Sequence, residues 1–278
     1  MNRIKKIGVL GVGLMGGSLS LALRKKFPEV SVWGYARSQK SYDKLKKLKV
    51  LNKVERDLQK VVEDADMVAL ALPVEVIISY FKKITPFLKK GAIVLDLGSS
   101  KGLIEKSITK CLPNGVSFVG CHPLCGSEKS GAEFSKIDLY KGAVCLVTSS
   151  AQNQATKKVK RIWEKLGSKV IFISPQRHDK FLSYLSHLPH LISFSLTKGF
   201  SKDHLKFSLQ SFKDLTRISI SPASVWAEIF LSNKKNVLTD LDKFIKALKK
   251  FESLIKKNDK DKIIDLIKKI NSKQRRLL

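Results

Sequence analysis

The sequence specifies an α/β chain, with a doubly wound parallel sheet first and an all-helical stretch after it. Three observations lead to that division. Short apolar runs alternate with helical patterns as far as residue 173, which places helices on both faces of a parallel sheet. A glycine-rich turn joins the first strand to the first helix. After Ser174-Pro175, a capping residue followed by a helix-starting proline, no strand pattern recurs. The expected domains are 1–173 and 174–278.

The elements follow in order. Lys6 to Leu10 reads as a strand, followed by the glycine turn and a helix to about Lys26. Val30 to Tyr35 is a second strand and Gln39 to Leu48 a helix. Met67 to Leu72 is a buried strand stopped by Pro73, and Val74 to Leu88 is a helix broken near Pro86. Ala92 to Leu97 is a strand and Lys101 to Lys110 a helix. Ser117 to Cys121, Ala143 to Thr148 and Lys169 to Ile173 are strands, with a helix from Ala155 to Leu166. Pro175 to about Phe200 reads as one long apolar helix kinked at Pro189. From Asn233 to Ile270, apolar residues at three and four spacing (Val237, Leu241, Phe244, Leu248, Phe251, Ile255, Ile263, Ile267) mark amphipathic helices.

The composition narrows the function. Hydrophobic residues make up 43% of the 278 residues, enough for a proper core, so disorder is excluded as the default. Cys111, Cys121, Cys125 and Cys145 are too few for a disulfide framework in a chain this long, which suits a reducing compartment. Cys121 and Cys125 lack a second Cys or His pair at zinc spacing, so no metal is expected. The formal charge is +29, from 53 Lys and Arg against 24 Asp and Glu. The lysines are scattered, and no basic stretch interleaves with aromatics as an RNA-binding surface would. A lysine-biased surface around a site for small anions is the expected reading, with no nucleic acid as partner.

Residues 7 to 23 carry no charge and lie between basic clusters, which imitates an export signal. Five glycines within that run argue against a membrane helix. Gly11-Val12-Gly13-Leu14-Met15-Gly16 matches G-x-G-x-x-G between a strand and a helix. Gly11 permits the turn, Gly13 admits a pyrophosphate, and Gly16 lets helix and strand approach. A Rossmann-type domain in the cytoplasm, with no membrane association, is the expectation. An NAD site has an acid near the end of the second strand. Here Ala36 stands in that place, followed by Arg37 and Ser38, a pair suited to a 2′-phosphate. NADP is the expected cofactor, with NAD as the alternative. Gly11, Gly13, Leu14, Met15, Gly16, Arg37, Ser38, Leu72, Pro73 and Ser99 form the expected cofactor set.

Later stretches carry the chemistry: GSSKG at 98–102, GCHPLCGSEKSG at 120–131, SHLPH at 186–190, FKDLTRI at 212–218 and SPASVW at 221–226. With the glycine turn and Asp64-Ala65-Asp66, this chain resembles the prephenate/arogenate dehydrogenase family of tyrosine biosynthesis, from Ile7 to about Asn236. The resemblance implies a dinucleotide-binding domain, then a helical domain that forms a homodimer. It also implies NAD(P)-dependent oxidative decarboxylation of prephenate to 4-hydroxyphenylpyruvate. Alternatives are arogenate as substrate, another hydroxyacid dehydrogenase, or a basic nucleic-acid-binding protein.

The resemblance assigns His122 to the substrate hydroxyl, as a neutral imidazole accepting its hydrogen bond. Ser99 would bond the same hydroxyl and help place the nicotinamide, and capping the helix from Lys101 onward is a second role that does not exclude the first. Arg217 is the expected carboxylate clamp, because guanidinium grips carboxylate in a two-pronged way; pairing with Asp214 is its competing role. Ser186, His187 and His190 are expected at the substrate and domain interface, and Glu128 near the site entrance. Ser221 and Trp226 are expected around the substrate side chain, from this chain or its partner. Asp179 or Glu128 would serve if the substrate carried an amino group. Ser208-Leu209-Gln210-Ser211 stands where relatives have a glycine-rich stretch, so backbone contacts to substrate are not expected there. Neither a fused mutase nor a fused amino-acid sensor is expected.

Overall fold

The computed structural model describes residues 4–126, 129–148, 153–207 and 209–275. In chain order, β1 (Lys6–Leu10), α1 (Leu14–Lys26), β2 (Ser31–Tyr35), α2 (Gln39–Leu48), β3 (Lys53–Glu55) and α3 (Leu58–Val62) make the first half of the sheet layer with β4 (Met67–Leu70). Then come α4 (Val74–Ile84), β5 (Ile93–Asp96), α5 (Gly102–Ile108), β6 (Ser117–Pro123), β7 (Val144–Thr148), α6 (Gln154–Lys165) and β8 (Lys169–Phe172). The strands form one sheet in the order β3-β2-β1-β4-β5-β6-β7-β8.

Alternation through the sheet builds two cores. Ile7, Val9, Met67, Ala69, Ile93 and Leu95 face one layer of helices with Leu19, Leu23 and Trp163. Leu10, Val68, Leu70 and Val94 face the other, with Ile77, Phe81 and Ile104. Both faces are covered, so these strands read as continuous apolar runs rather than alternating ones. The connections reverse direction between β1 and β4, and the crevice there is where such sheets bind ligands.

The sheet is not parallel throughout. β6 and β7 pair antiparallel, and β7 pairs parallel with β8. A parallel neighbour needs a crossover element, usually a helix. The β6–β7 connection has only a 3-10 turn at Ala132–Phe134 among its described residues. It folds back over the start of α1 instead, where the Tyr140 hydroxyl donates to the Met15 carbonyl at 2.6 Å and the Lys136 N–H to Ser18 Oγ at 2.9 Å. The sequence also conceals β3 and α3, which are too short to show a period. Asp66 joins the opposite end of the sheet by accepting the N–H groups of Lys5 and Lys6.

The helical part begins with α7 (Pro175–Leu182), whose Ser174 side chain caps it as expected. Pro189 does not mark a break within one uniform helix. The backbone widens into a π turn over Ser183–His187, then continues as α8 (Leu188–Lys198). Proline lacks the N–H of an α-helical bond and its ring crowds the carbonyl four residues back, and a π turn absorbs both. Next come α9 (Gln210–Thr216), a 3-10 turn at Arg217–Ile220, and α10 (Ala223–Ser232). These helices belong with the sheet to one compact unit, 1–233. The second unit, 234–278, contains α11 (Lys234–Lys256) and α12 (Lys260–Gln274), with the Asp259 side chain capping the latter.

The glycine turn is under tight steric control. Gly11 has φ +88°, and a Cβ on Gly16 would stand 2.2 Å from the Gly11 carbonyl oxygen. A Cβ on Gly13 would meet nothing within 4 Å. Gly16→Ala is expected to destabilise the fold by about 1–3 kcal/mol, as overpacking does, whereas Gly13→Ala stays within about 1 kcal/mol. Urea unfolding of the two variants checks the contrast.

Candidate active site

The cofactor turn fits its group. α1 starts at Gly13 with no side-chain cap and no acid in its first turn, so its first N–H groups are left for an anion. The open space at Gly13 is the cradle a pyrophosphate needs. At the end of β2, Ala36 is buried and Arg37 is exposed, so no carboxylate occupies the ribose position. Ser38 Oγ accepts the Ser41 N–H at 3.2 Å, so this hydroxyl also caps α2.

A cleft of 960 Å³ opens from this turn. Its walls bring together Gly13, Leu14 and Met15 with Leu72, Pro73 and Ser99, and with His190, Arg217, Ser221 and Trp226 of the helical part. Cofactor and substrate candidates from residues 13 to 226 thus share one space. Arg217 makes no ion pair among the described residues. Asp214, its sequence neighbour, accepts from Gln210 instead, which leaves the guanidinium for a ligand. Ser99 is not a helix cap, since α5 is capped from elsewhere.

His190 stacks on Trp226, with ring centroids 3.5 Å apart and planes at 19°. Its Nδ1–H donates to the Ser186 carbonyl at 2.9 Å, so its Nε2 is left as an acceptor. Burial is the main cause that lowers its pKa, reinforced by Arg217 and opposed by the Ser186 bond. Trp226 is therefore both a packed core residue and a cleft wall.

Ser186, His187 and His122 do not join them in the cleft lining. Ser186 acts through its carbonyl. His187 is buried edge-on to Trp226, and its Nδ1 accepts from Asn233 Nδ2 at 3.2 Å. Burial pushes its pKa down to about 4. Both histidines meet the Trp226 ring, His187 edge-on and His190 stacked on its face, and only His190 lines the cleft. Glu128 and Ser208 lie outside the described residues.

His122 lies near the C-terminal end of β6, two residues past Gly120, which pairs with Asp96 of β5. That is the sheet edge from which Ser99 also projects. His122 Nδ1 lies 2.9 Å from His178 Nε2, and His178 Nδ1 lies 2.8 Å from Asp179 Oδ1. Burial, then His178, Lys101 and His187, hold His122 well below the usual imidazole value of 6.5. Asp179 is not free to meet an amino group. Its carboxylate accepts the N–H groups of Lys101 and Gly102, each at 2.8 Å, as well as His178. Beneath this lies a buried ion pair of Asp96 and Lys101, with Lys101 Nζ also donating to the Cys121 carbonyl at 2.7 Å. His178 and Asp96 fall in no motif of the sequence, and Lys101 lies within GSSKG without a role assigned to it there; the adjacent His178-Asp179 was the one available signal for the chain behind His122.

Fold and cleft together define a class: a dinucleotide-binding oxidoreductase whose substrate side is built by helices. Two family models match, the nucleotide-binding domain of prephenate dehydrogenase at residues 19–172 and its dimerization domain at 174–269. This chain belongs to the prephenate dehydrogenase family. It is 32% identical to a cyclohexadienyl dehydrogenase of Zymomonas mobilis, covering 96% of this chain and 94% of that one. It is 31% identical to a prephenate dehydrogenase of Lactococcus lactis, covering 94% and 74%. Among solved structures, a prephenate dehydrogenase from A. aeolicus in complex with hydroxyphenyl propionate and NAD+ has a TM-score of 0.89 at 31% identity and 99% coverage of both chains. A Synechocystis arogenate dehydrogenase shares the fold, with a TM-score of 0.83 at 23% identity.

The lowered histidines link pH to stability. His122, His178, His187 and His190 all titrate below their unfolded value in the native state. Below pH 6.5 the unfolded chain then binds more protons, so their contribution is complete above pH 6.5 and is lost as pH falls toward 4. Denaturant melts from pH 7.5 to 4.5 should show stability falling steadily below 6.5; a flat profile would contradict the neutral assignments.

Proposed function

We propose that this chain is a prephenate dehydrogenase that oxidises and decarboxylates prephenate to 4-hydroxyphenylpyruvate, with NADP preferred over NAD. The observation that carries the reading is the union in one cleft of the dinucleotide turn with an unpaired Arg217, at the sheet edge that bears His122. A bound nicotinamide supplies the hydride acceptor. Gly13, Leu14 and Met15 hold its pyrophosphate, and Leu72, Pro73 and Ser99 border the rest of its path. Gly11 and Gly16 serve by shaping the turn.

Arg217 grips a substrate carboxylate in a two-pronged way, and the exposed guanidinium is placed to receive it. His122 accepts the hydrogen bond of the ring hydroxyl through Nε2, assisted by Ser99, and takes its proton as the carbon–hydrogen bond breaks. Loss of the ring carboxylate as carbon dioxide leaves an aromatic ring, which supplies the driving force. His190 and Ser221 offer polar contacts, and Trp226 offers an apolar wall. Ser186 and His187 hold that wall in place, while Glu128 keeps the entrance role that its motif implies.

Arogenate is the second reading, carried by the name of a 24% identical relative, a probable arogenate/prephenate dehydrogenase of Methanocaldococcus jannaschii. Its amino group needs an acid, and the described acids near the cleft are committed. Asp179 already accepts from three donors, and Glu228 accepts the Glu75 N–H at 2.6 Å while burial raises its pKa. The NADP preference rests on Ala36 and Arg37. We further propose residues 1–173 as the dinucleotide domain and 174–278 as the substrate and dimerisation domain, working as a cytoplasmic homodimer. The dimerization family model and exposed Leu185, Leu215 and Leu231 of the first unit support the dimer. No described helix is long and apolar enough to cross a membrane. The +29 charge draws anionic substrate and cofactor rather than nucleic acid.

Steady-state assays with prephenate and arogenate, each with NADP and NAD, test the reading. Prephenate with NADP should give the highest kcat/KM, and turnover of neither substrate would refute it. His122→Asn should lower kcat by about 100-fold with dinucleotide affinity little changed. Arg217→Ala should raise the substrate KM by at least about tenfold, the scale of a charged hydrogen-bonded contact. Arg37→Ala should raise the KM for NADP by about tenfold and leave that for NAD alone.

A further inference from the structure

The catalytic histidine has a built-in orienting chain behind it. We infer that Asp179 and His178 are positioning residues that fix the proton of His122 on Nδ1, leaving Nε2 bare toward the substrate hydroxyl. This rests on the reading above that His122 acts on that hydroxyl.

The bonding pattern admits a single consistent order. The Asp179 carboxylate accepts only, and two backbone N–H groups already hold it in place at 2.8 Å. The nitrogen 2.8 Å from its Oδ1, His178 Nδ1, must therefore donate. His178 is completely buried, and the ammonium of Lys101 lies in the same cluster, so a second cation is disfavoured there. A neutral His178 with its proton on Nδ1 has a lone pair on Nε2. That lone pair faces His122 Nδ1 at 2.9 Å, so His122 Nδ1 must carry a proton. A neutral His122 then has no proton on Nε2.

The same chain works during the reaction. When Nε2 takes the hydroxyl proton, His122 becomes an imidazolium that still donates from Nδ1 to His178. The charge is balanced by Asp179 at the far end, through a neutral ring, without any further proton having to move. Asp179 therefore fills two structural roles with one carboxylate, capping α5 and setting a tautomer. The charged and titratable groups around the chain are Asp96, Lys101, His187 and Asp179.

Long-range nitrogen–proton NMR of the histidine-labelled protein tests the tautomer directly, with the His122 signals identified by their loss in His122→Asn. The expected spectrum has a protonated Nδ1 and a bare Nε2 for His122. Nε2 protonation in the resting protein would overturn the inference. Two variants test its use. His178→Leu removes donor and acceptor and should lower kcat about 100-fold, with KM for substrate and dinucleotide within about twofold and with the His122 tautomer mixed. His178→Gln keeps an amide that can donate and accept, and should recover at least tenfold of that loss. Equal kcat in the Leu and Gln variants, or wild-type kcat in the Leu variant, would overturn the positioning role. If His178→Leu does not fold, the wild-type spectrum and the Gln variant's kcat decide the matter. Absence of turnover on either substrate would remove the proposed function while the spectrum still judged the tautomer.

Discussion

The carboxylate of Asp179 is the contact on which the site depends. It accepts from the N-terminus of α5 and from His178, so it fastens α7 to α5 and holds the His178 ring that meets His122. A buried carboxylate is costly unless hydrogen-bond donors replace water, and here three donors converge on it. The neighbouring Asp96–Lys101 pair follows the same rule, with the ammonium also bonded to the Cys121 carbonyl. Removing one member of such a pair costs about 3–5 kcal/mol, because a charge is left uncompensated. His122 is the next residue, so the backbone that carries it rests on this pair.

Around that junction the site keeps its charges few and separated. Neutral imidazoles at His122 and His190 provide acceptors, and the guanidinium of Arg217 stands on the cleft wall with no ion pair among the described residues. Burial is what keeps the imidazoles neutral. Among the residues described, the lysines stay on the surface except Lys101. That exception is held by Asp96, as a buried lysine must be.

Legibility in the sequence tracked the range of the physical constraint. The glycine turn was readable because Gly11 and Gly16 answer to sterics within a few residues. Strand runs were readable because both sheet faces are covered. The reversal at β7 was not, because nothing local tells an extended segment which way its neighbour runs. Ser174 was recognisable as a cap from Pro175 beside it, whereas the caps on α5 come from Asp179, 77 and 78 residues away. Ser99, assigned capping as a second role, proved free of that task. His187 and His190, three apart on one face, both meet Trp226, and only the depth of each ring in the fold decides that His190 alone lines the cleft. The role of Asp179 was misjudged for the same reason: its partners are distant in sequence.

The sequence by itself determined the chemistry available: a phosphate-binding turn, no acid at the end of β2, and His122, Ser99 and Arg217 in recognisable company. It also determined the order of sheet and helices, because period and turn residues act over short distances. Only the tertiary structure decided which side chains work together. It placed Arg217 and Trp226 in the cleft of Gly13, kept His187 out of its lining, and set His178 and Asp179 behind His122. The reason is that hydrogen bonding in a dry interior is satisfied through space. His122 and His178 are 56 residues apart in the chain and 2.9 Å apart in the fold.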